Sequence, residues 1–471
     1  MFFRSLGCIS LIIAAGTEAS PLEPRGDNYV KLQVVHSTNK QVFSDFYRQK
    51  RAVAEVPLAN RTDVAYYAKL DFGTPAQPIY VQIDTGSFEL WVNPDCAALS
   101  DTTDESFCNN TGHYESSQST TFATLSSDNV LQYGIGNASI DYVTDTIAIA
   151  GTSVSLKNVQ FGVAQQSTEE FAGILGIGFG QNITIPYKNL IDQLAAQGAT
   201  NTKAFSIALG SKDEKEGVAI FGGLDTSKFT GALATQPIIA ADKSPDGVPR
   251  YWIQMESVGL TASGQSKKYA DTSIPVFLDS GSTLSLLPTN LTEEIAADFG
   301  AQEASGGVFL VNCSIANQNG SLNFAFNGVT VEVPFNEVIR EVETNFGTEC
   351  ELGIEASDEF TLLGDTFLRS AYAVFDQTNN EVHLAQYANC GESPMEITAD
   401  MSFSSITGNC TASGSTSATT STSGSNLTST TDTGSGDNST VTGGTSDSES
   451  GAVRNCFTWL AFCAAFCIML L

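Results

Sequence analysis

A duplicated four-residue segment constrains the fold of this chain more than any other feature of its sequence. Asp84–Ser87 reads Asp-Thr-Gly-Ser and follows an apolar run, and Asp279–Ser282 reads Asp-Ser-Gly-Ser and follows another. Each copy ends a strand-like segment, which indicates two related halves that each contribute one carboxylate. Two carboxylates that face each other across a pseudo-two-fold axis can activate a water molecule held between them.

A later glycine-containing segment accompanies each acidic segment. A single Asp-Thr-Gly is more often a turn, because Asp and Thr hydrogen-bond to nearby backbone and Gly permits positive φ. Here Ala172–Gly178 follows in the first half and Thr361–Asp365 in the second, both apolar up to a glycine. Since glycine has no Cβ, a neighbouring strand can pass close beneath each acidic loop. The paired arrangement therefore favours a two-part active site over an isolated turn.

Length and charge limit the possible classes of protein. A chain of 471 residues exceeds one hydrophobic core and predicts at least two lobes. Its 52 acidic and 22 basic residues give a formal charge of −30, which argues against a nucleic-acid partner. Much of this charge is neutralised at acid pH, where self-repulsion falls, so we expect an acidic working environment.

Short apolar or alternating runs, separated by Gly, Pro, Asn and Asp, predict a mainly β body. Helices are expected only over Tyr187–Gln197, where Gly198 suits the C-terminal end, and over Thr289–Phe299. We place two pseudo-symmetric β lobes at residues 52–240 and 241–390, with the active-site cleft between them.

The N-terminal region has the pattern of a leader followed by a pro-segment. Arg4 precedes the apolar run Leu6–Ala15, which predicts a secretory signal peptide over residues 1–20; the alternative is a buried N-terminal strand. Residues 21–51 are basic and end at Lys50-Arg51, a dibasic pair of the kind that processing proteases cut. Such a segment ahead of an acidic body indicates a pro-segment held by charge, against the alternative of an ordinary N-terminal arm.

The C-terminal region has the composition of a stalk and an anchor signal. We assign residues 391–450 to a Ser/Thr-rich stalk, with the sharpest change of composition after Cys410, and 451–471 to a hydrophobic tail. Small residues, a polar spacer and an apolar tail form the signal for a glycolipid (GPI) anchor. The candidates for attachment are residues Gly443 to Ser446, among which we assign Gly444. A transmembrane tail is the alternative, but the run is shorter than the roughly 20 residues that a spanning helix needs. The protein is therefore expected at the cell surface, on the outer leaflet of the plasma membrane or in the cell wall.

Secretion makes disulfides and glycans the expected modifications. Six cysteines remain between the predicted leader and tail, and spacing suggests the pairs Cys96–Cys108 and Cys313–Cys350, with Cys390–Cys410 by elimination, among fifteen possible connectivities. A zinc site is the alternative, but no pair has Cys-x-x-Cys spacing and histidines are nearly absent. Candidate N-glycosylation sequons, of which Asn290 is also a candidate helix cap, lie at Asn60, Asn109, Asn137, Asn182, Asn290, Asn312, Asn319, Asn409, Asn426 and Asn438.

Over Tyr66–Gln386 the sequence resembles the pepsin-like aspartic proteases. The resemblance is carried by the blocks Ile83–Ser87, Leu90–Val92, Tyr133–Gly136, Gly173–Gly178, Leu278–Thr283, Leu363–Arg369 and Ala373–Asp376. With the dibasic pro-segment, the stalk and the anchor signal, the chain is most similar to the fungal surface branch called yapsins.

The resemblance implies a role for each residue of the two acidic blocks. Asp84 and Asp279 are expected to hold one water molecule and to share one proton, in loops that need the small residues Gly86 and Gly281. Thr85 and Ser280 are expected to brace these loops from beneath. Ser87 and Ser282 are expected to hydrogen-bond the outer carboxylate oxygens.

The resemblance also implies a flap that covers bound peptide. Tyr133 and Gly134 match the β-hairpin flap, Trp91 matches the partner of the tyrosine hydroxyl, and we place Thr283 on the substrate side of the second block. Ile135 departs from the commoner pattern, in which this position is often polar or acidic, so a preference for basic substrates is not inherited. Glu89 and Asp95 are the acidic candidates for contacting a substrate Lys or Arg.

Other hydrolase classes lack their residues in this sequence. The only histidines are His36, His113 and His383, and neither a Gly-x-Ser-x-Gly elbow nor a His-Glu-x-x-His motif occurs. We therefore expect a monomeric endopeptidase that acts on proteins or peptides with no cofactor and no metal. The alternative is a catalytically inert, protease-like protein that binds at the cell surface or wall.

Overall fold

The computed structural model describes residues 28–36, 65–93, 96–98, 102–134, 136–168, 172–214, 216–304, 307–344, 347–359 and 361–411. The predicted signal peptide, Lys50-Arg51, Asp95, Ile135, the sequons Asn60, Asn426 and Asn438, and the predicted anchor site Gly444 lie outside these ranges. Among the described residues, no helix is long and apolar enough to cross a lipid bilayer.

The described chain is built mainly of strands, as the sequence predicts. The strands of the first half are β1 (Val30–His36), β2 (Tyr66–Phe72), β3 (Gln77–Asp84), β4 (Leu90–Val92), β5 (Ala123–Gln132), β6 (Asn137–Ile149), β7 (Ser155–Thr168), β8 (Gly173–Gly176), β9 (Ala204–Ala208), β10 (Glu216–Phe221), β11 (Gly223–Asp225) and β12 (Phe229–Pro237).

The strands of the second half are β13 (Trp252–Met255), β14 (Ser257–Ala262), β15 (Gln265–Lys268), β16 (Ile274–Leu278), β17 (Ser285–Leu287), β18 (Gln302–Glu303), β19 (Phe309–Val311), β20 (Gly320–Phe326), β21 (Val329–Pro334), β22 (Ile339–Thr344), β23 (Gly347–Leu352), β24 (Ile354–Ala356), β25 (Leu362–Leu363), β26 (Ala371–Asp376), β27 (Glu381–Tyr387) and β28 (Pro394–Glu396).

The α-helices of the described chain are short. They are α1 (Thr102–Thr111), α2 (Leu190–Ala196), α3 (Thr289–Asp298), α4 (Phe335–Val338) and α5 (Asp365–Leu368), and 3₁₀ turns cover Cys96–Ala98, Ser116–Gln118, Thr226–Lys228, Ala241–Lys243, Cys313–Asn317 and Phe403–Ser405.

The two predicted helices correspond to α2 and α3. Helix α2 begins where the Asn189 side chain accepts a hydrogen bond from the backbone N–H of Asp192. It ends before Gly198, whose φ of 74° would strain a residue that has a side chain. At α3 the N-cap position belongs to Pro288, so Asn290 is not the cap that the sequence offered as an alternative.

The two halves repeat one arrangement of strands around their acidic segments. In the first half, β3 pairs in parallel with β8, β8 pairs antiparallel with β4, and β4 pairs in parallel with β7. In the second half, β16, β25, β17 and β24 make the same three pairings in the same order. The duplication seen in the sequence is therefore a duplication of topology.

One large sheet connects the two halves. Its 13 strands run in the order β12-β27-β26-β9-β10-β1-β2-β3-β8-β4-β7-β6-β5, so that β26 and β27 of the second half lie beside β9 and β12 of the first. Three further sheets, β13-β16-β25-β17-β24, β15-β14-β20-β21 and β18-β19-β23-β22, build the rest of the second lobe. The central sheet therefore contains strands from both sides of the boundary that the sequence predicts at residue 240.

Strand β1 belongs to the segment that the sequence assigns to a pro-segment. It lies between β10 and β2, with six register pairs from Val30–Phe221 to Val35–Glu216. Lys31 also forms an ion pair with Glu392, with Nζ and Oε1 2.7 Å apart. This part of the basic segment is therefore an integral strand of the central sheet.

The folded body extends further than the predicted start of the stalk at residue 391. Strand β28 pairs with β11, and Cys390 and Cys410 form a disulfide. Ile397 and Phe403 are buried in a cluster with Phe229 and Tyr372. The prediction was wrong here because it gave the Ser and Thr of this segment more weight than its apolar residues, which contact this cluster and include Met395, Met401 and Ile406 besides Ile397 and Phe403.

Truncation tests this boundary. A chain that ends at residue 390, with Cys390→Ser, should lose at least about 3 kcal/mol of unfolding free energy, because it loses the disulfide and the burial of Ile397 and Phe403. A chain that ends at residue 411 is the matched control and should unfold at the same urea midpoint as the full chain. Equal midpoints for both truncations would show that residues 391–411 add nothing to the fold.

Candidate active site

The two acidic segments meet at the junction of the lobes. Strand β3 ends at Asp84, and β16 ends one residue before Asp279. In each loop the carboxylate accepts a hydrogen bond from the glycine N–H two residues later: 2.7 Å from Gly86 to Asp84 Oδ1, and 2.9 Å from Gly281 to Asp279 Oδ1. Each carboxyl group is thus fixed by its own turn.

The glycines bring the two carboxyl groups together. A Cβ on Gly86 would lie 2.6 Å from Asp279 Oδ1, and one on Gly281 would lie 2.5 Å from Asp84 Oδ1. No side chain other than hydrogen fits at that distance, so both positions require glycine. The carboxyl group of each loop therefore lies against the glycine of the opposite loop, across the lobe junction.

Reciprocal hydrogen bonds lock the loops to each other beneath the acids. Thr85 Oγ1 donates to the Leu278 carbonyl at 2.8 Å and accepts from the Ser280 N–H at 2.9 Å. Ser280 Oγ donates to the Ile83 carbonyl at 2.9 Å and accepts from the Thr85 N–H at 3.2 Å. Both side chains are buried, so this cross-brace has the form that the sequence predicts for Thr85 and Ser280.

The later glycine segments lie directly under the loops. A Cβ on Gly176 would collide with the backbone N of Glu89, and one on Gly364 would collide with the Leu284 carbonyl. The Ile177 N–H donates to the Asp84 carbonyl at 2.8 Å, and the Asp279 N–H donates to the Leu363 carbonyl at 3.0 Å. The close approach expected from the apolar-apolar-glycine pattern therefore occurs in both halves.

Electrostatics make the acidic pair hold a proton. Burial raises the pKa of Asp279 well above its ordinary range, and the neighbouring Asp84 carboxylate raises it further. Hydrogen bonding from the Gly281 N–H and the charge of Arg250 act in the opposite direction. Two like charges in contact cannot both ionise cheaply, a case for which aspartic proteases are themselves the standard example. One carboxyl is therefore protonated while its partner is ionised.

Comparison with known proteins identifies the family. The family model described as "Eukaryotic aspartyl protease" matches residues 65–387. The chain belongs to that family. It is 32% identical over 400 residues to the "Probable aspartic-type endopeptidase opsB" of Aspergillus fumigatus, covering 81% of each protein. It is 35% identical over 346 residues to "Secreted aspartic protease 8" of Candida albicans, covering 72% of this chain and 79% of the relative.

A solved structure shows the same fold. The crystal structure of the aspartic proteinase from Irpex lacteus superposes with a TM-score of 0.55 at 23% identity, covering 69% of this chain and 94% of that one. The mainly β, two-lobed pepsin-like architecture is thereby confirmed. Membership of the family makes the chain an aspartic-type endopeptidase.

The aspartyl protease flap occupies the position that the resemblance implies. Tyr133 follows β5 in the β5–β6 hairpin, and its N–H donates to the Gly136 carbonyl at 3.2 Å across the turn, where Gly134 is exposed. Trp91, buried in β4 directly after the first acidic loop, donates from Nε1 to the Tyr133 hydroxyl at 2.7 Å. The flap tyrosine is therefore tied to the strand that leaves the first acidic loop.

Two serines of the acidic segments do not bond as predicted. Ser282 Oγ donates to the Leu284 carbonyl at 2.9 Å instead of to a carboxylate oxygen. Ser87 Oγ is buried with no hydrogen-bond partner in the described chain. The expected contacts to the outer carboxylate oxygens are absent because the loop backbone offers Ser282 a nearer acceptor. Thr283 lies beside the second acid, and its carbonyl accepts from the Thr366 N–H at 3.2 Å.

Glu89 is not an open site for a basic substrate side chain. Its Oε2 accepts from the Tyr142 hydroxyl at 2.6 Å, and Tyr187 lies against the same carboxyl group. Burial raises the pKa of Glu89, and the hydrogen bonds from Tyr142 and Tyr187 oppose that shift. Of the two acidic candidates for contacting Lys or Arg, the described one is thus already occupied.

Sequence reasoning missed two charged groups around the acidic pair. Asp365, in the Leu363–Arg369 block, is buried, and neither of its carboxyl oxygens has a hydrogen-bond partner within the described part of the chain. Burial raises its pKa, while Arg369 opposes the shift. Arg250 donates from Nη1 to the Gly86 carbonyl. The motif block contained Asp365 and offered a signal, but Arg250 lies in a polar loop that offered none.

The structure describes the predicted disulfides and seven of the asparagines in predicted glycosylation sequons. The disulfides Cys96–Cys108 and Cys313–Cys350 form as predicted. The exposed sequon residues are Asn182, Asn290, Asn312, Asn319 and Asn409, and the partly buried ones are Asn109 and Asn137. Exposure makes the first group accessible to glycosylation but does not decide which sequons are used.

A substitution at Thr85 tests the cross-brace. Thr85→Val keeps the shape but removes the hydroxyl, leaving the buried Ser280 N–H and Leu278 carbonyl without their partner. We expect a loss of about 1–3 kcal/mol of unfolding free energy and a fall in kcat, because the acids are less firmly held. Thr85→Ser retains the hydroxyl and is the matched control. Wild-type urea stability and kcat in the valine variant would contradict the assigned role.

Proposed function

We propose that Asp84 and Asp279 hydrolyse peptide bonds in proteins by general acid–base activation of one water molecule. The observation that carries this proposal is that each carboxyl group lies against the glycine of the other acidic loop, so that the two acids interact electrostatically at the lobe junction. In the singly protonated pair, the ionised carboxylate removes a proton from the water as its oxygen attacks the peptide carbonyl carbon. The protonated carboxyl donates its proton to the carbonyl oxygen.

The second half of the reaction returns the protons. The tetrahedral intermediate collapses as the C–N bond breaks, and the carboxyl group that took the water proton gives it to the departing amine nitrogen. The other carboxylate takes a proton from a hydroxyl of the intermediate, which restores the singly protonated pair and leaves a carboxylic acid product. No covalent bond forms between substrate and protein, so neither a nucleophilic side chain nor a cofactor is needed. The flap residues Tyr133 and Gly134 cover the peptide during this sequence and limit the entry of bulk water.

The pH range of activity follows from the shared proton. When pH falls far enough to protonate both carboxyl groups, no base remains to accept a proton from water. When pH rises through the raised pKa of Asp279, both groups ionise and no acid remains. Activity should therefore be greatest at acid pH and decline on both sides.

We also propose that the protein is secreted, cut at Lys50-Arg51 and attached to the cell surface by a GPI anchor at Gly444. The named relative "Secreted aspartic protease 8" supports secretion, and the leader and tail patterns support the rest. Because β1 is a strand of the central sheet, the mature body must either keep β1 as a separate chain or fill its place.

The catalytic proposal is tested with casein at pH 3–5. Asp84→Asn and Asp279→Asn should each reduce kcat by at least about 10²–10⁴-fold, because each removes one partner of the acid–base pair. Pepstatin should inhibit the wild type, and circular dichroism should show that both variants fold. Undiminished cleavage by folded Asp279→Asn would favour a different mechanism. A folded, correctly processed wild type that cleaves nothing would favour the alternative, an inert surface protein.

Mass spectrometry of the protein from the cell surface tests processing at both ends. We expect a mature N-terminus at Ala52 and a last peptide that ends at Gly444 with a glycolipid. Phosphatidylinositol-specific phospholipase C should release the protein from cells. An intact chain through residues 451–471 would rule out the anchor, and a peptide that runs uncut through Lys50-Arg51 in the surface protein would rule out the cut.

A further inference from the structure

The side chain of Arg250, in the second half of the chain, contacts the first catalytic loop. Arg250 precedes β13, and its Nη1 donates to the carbonyl oxygen of Gly86, the third residue of the run Asp84–Ser87. Its Nε forms an ion pair with Asp246 Oδ2 at 2.8 Å. The guanidinium thus connects a loop of the second half to the turn that carries Asp84.

The position of the guanidinium is itself fixed by its surroundings. Asp246 Oδ1 accepts from Trp252 Nε1 at 3.0 Å and from the Val248 N–H at 3.0 Å. The guanidinium carbon lies 5.3 Å from the ring centre of Phe88 and 5.4 Å from that of Phe277. An arginine held by an ion pair with an anchored aspartate and by two aromatic rings has little freedom to leave.

Phe88 and Phe277 place this cation beside both acidic segments. Phe88 follows the first segment directly, and Phe277 lies in β16, which leads into the second. Arg250 therefore contacts the chain on each side of the lobe junction. A side chain that joins both catalytic loops restricts their relative movement.

The charged groups near the acidic pair include both acids and cations, and some of them are already paired with other residues. Asp84 and Asp279 form the pair, and Asp365 lies near both from α5, with its own pKa raised by burial. Arg369 is bonded to Glu337, with Nε and Oε2 2.6 Å apart. Arg250 is partly balanced by Asp246, and its charge lowers the pKa of Asp279 against burial and the Asp84 carboxylate.

We propose that Arg250 is a positioning residue that fixes the first catalytic loop across the lobe junction and lowers the upper pH limit of activity. The proposal rests on the proposed function, since it requires that the Asp84–Asp279 pair is catalytic. Arg250 acts through Gly86 and through its charge, not by bonding to the substrate. It therefore should influence kcat and the pH profile more than KM.

Substitutions of Arg250 separate its hydrogen bond from its charge. Arg250→Gln removes the charge, and Arg250→Lys keeps the charge but cannot bond Gly86 and Asp246 together in the same planar geometry. Lys267→Gln is the matched control, because it removes another ion-paired cation of the second half, bonded to Asp298 at 2.6 Å. For each variant, kcat and KM on one casein-derived peptide are measured from pH 2 to pH 8, with pepstatin blanks.

The expected results have distinct signatures. Arg250→Gln should reduce kcat by about tenfold with little change in KM. Its upper pH limit should rise by roughly one pH unit, because loss of a nearby positive charge makes the acidic pair hold its proton more tightly. Arg250→Lys should keep the wild-type upper limit with an intermediate kcat, and Lys267→Gln should match the wild type throughout.

Several outcomes would overturn the proposal. An Arg250→Gln variant with wild-type kcat and upper pH limit, or with a raised KM and unchanged kcat, would show that Arg250 does not position the loop. If the glutamine variant does not fold, Arg250→Lys decides: reduced kcat at unchanged KM supports the proposal and unchanged kcat overturns it. The wild type is measured first. If it has no pepstatin-sensitive activity, the proposed function is refuted, and the proposed role of Arg250 is refuted with it.

Discussion

Contact between two carboxyl groups of like charge is the constraint on which the rest of this structure depends. Left to themselves, Asp84 and Asp279 would ionise and move apart. They stay together because one proton is shared between them and because the loops that carry them are joined from beneath. The joining groups are buried hydroxyls of Thr85 and Ser280, each bonded to the backbone of the opposite loop. Repulsion at the surface of the cleft is thus offset by hydrogen bonds below it.

The repeated topology explains how one chain produces this arrangement. Each half places its acid at the end of a strand that pairs in parallel with a glycine-ended strand, β3 with β8 and β16 with β25. The glycines remove side chains where two loops or a loop and a strand must touch. Departures from symmetry then distinguish the halves: Arg250 and Asp365 come from the second half alone, and the flap comes from the first. The asymmetry gives the two acids different surroundings.

The local part of the site could be predicted from the sequence, and the long-range part could not. The acidic loops, the glycine segments and the Trp91–Tyr133 pair each occupy a short motif, so their contacts follow once the motifs are placed. The predicted bond of Ser282 failed because its hydroxyl donates to the Leu284 carbonyl, an acceptor that depends on the loop backbone. Ser87, whose hydroxyl has no partner among the described residues, has no such explanation. Arg250 and Gly86 are far apart in the chain, and the polar loop around Arg250 has no pattern that indicates a partner.

The same reasoning explains the error at the C-terminal boundary. Composition after residue 390 is polar and rich in Ser and Thr, and it correctly indicates a change of character after Cys410. Ile397, Phe403 and their apolar neighbours Met395, Met401 and Ile406 contact residues that are far away in sequence. The partners that bury such a short apolar segment depend on the assembled fold and not on the segment itself.

The pKa of the Asp279 carboxyl group tests the central claim most directly. It can be measured by ¹³C NMR of protein labelled at the aspartate carboxyl carbons, in the wild type and in Asp84→Asn. The account predicts a pKa for Asp279 well above the ordinary value of about 3.9 in the wild type, and a lower one when the Asp84 charge is removed. An Asp279 carboxyl that titrates at the ordinary value, unaffected by Asp84→Asn, would contradict the shared proton.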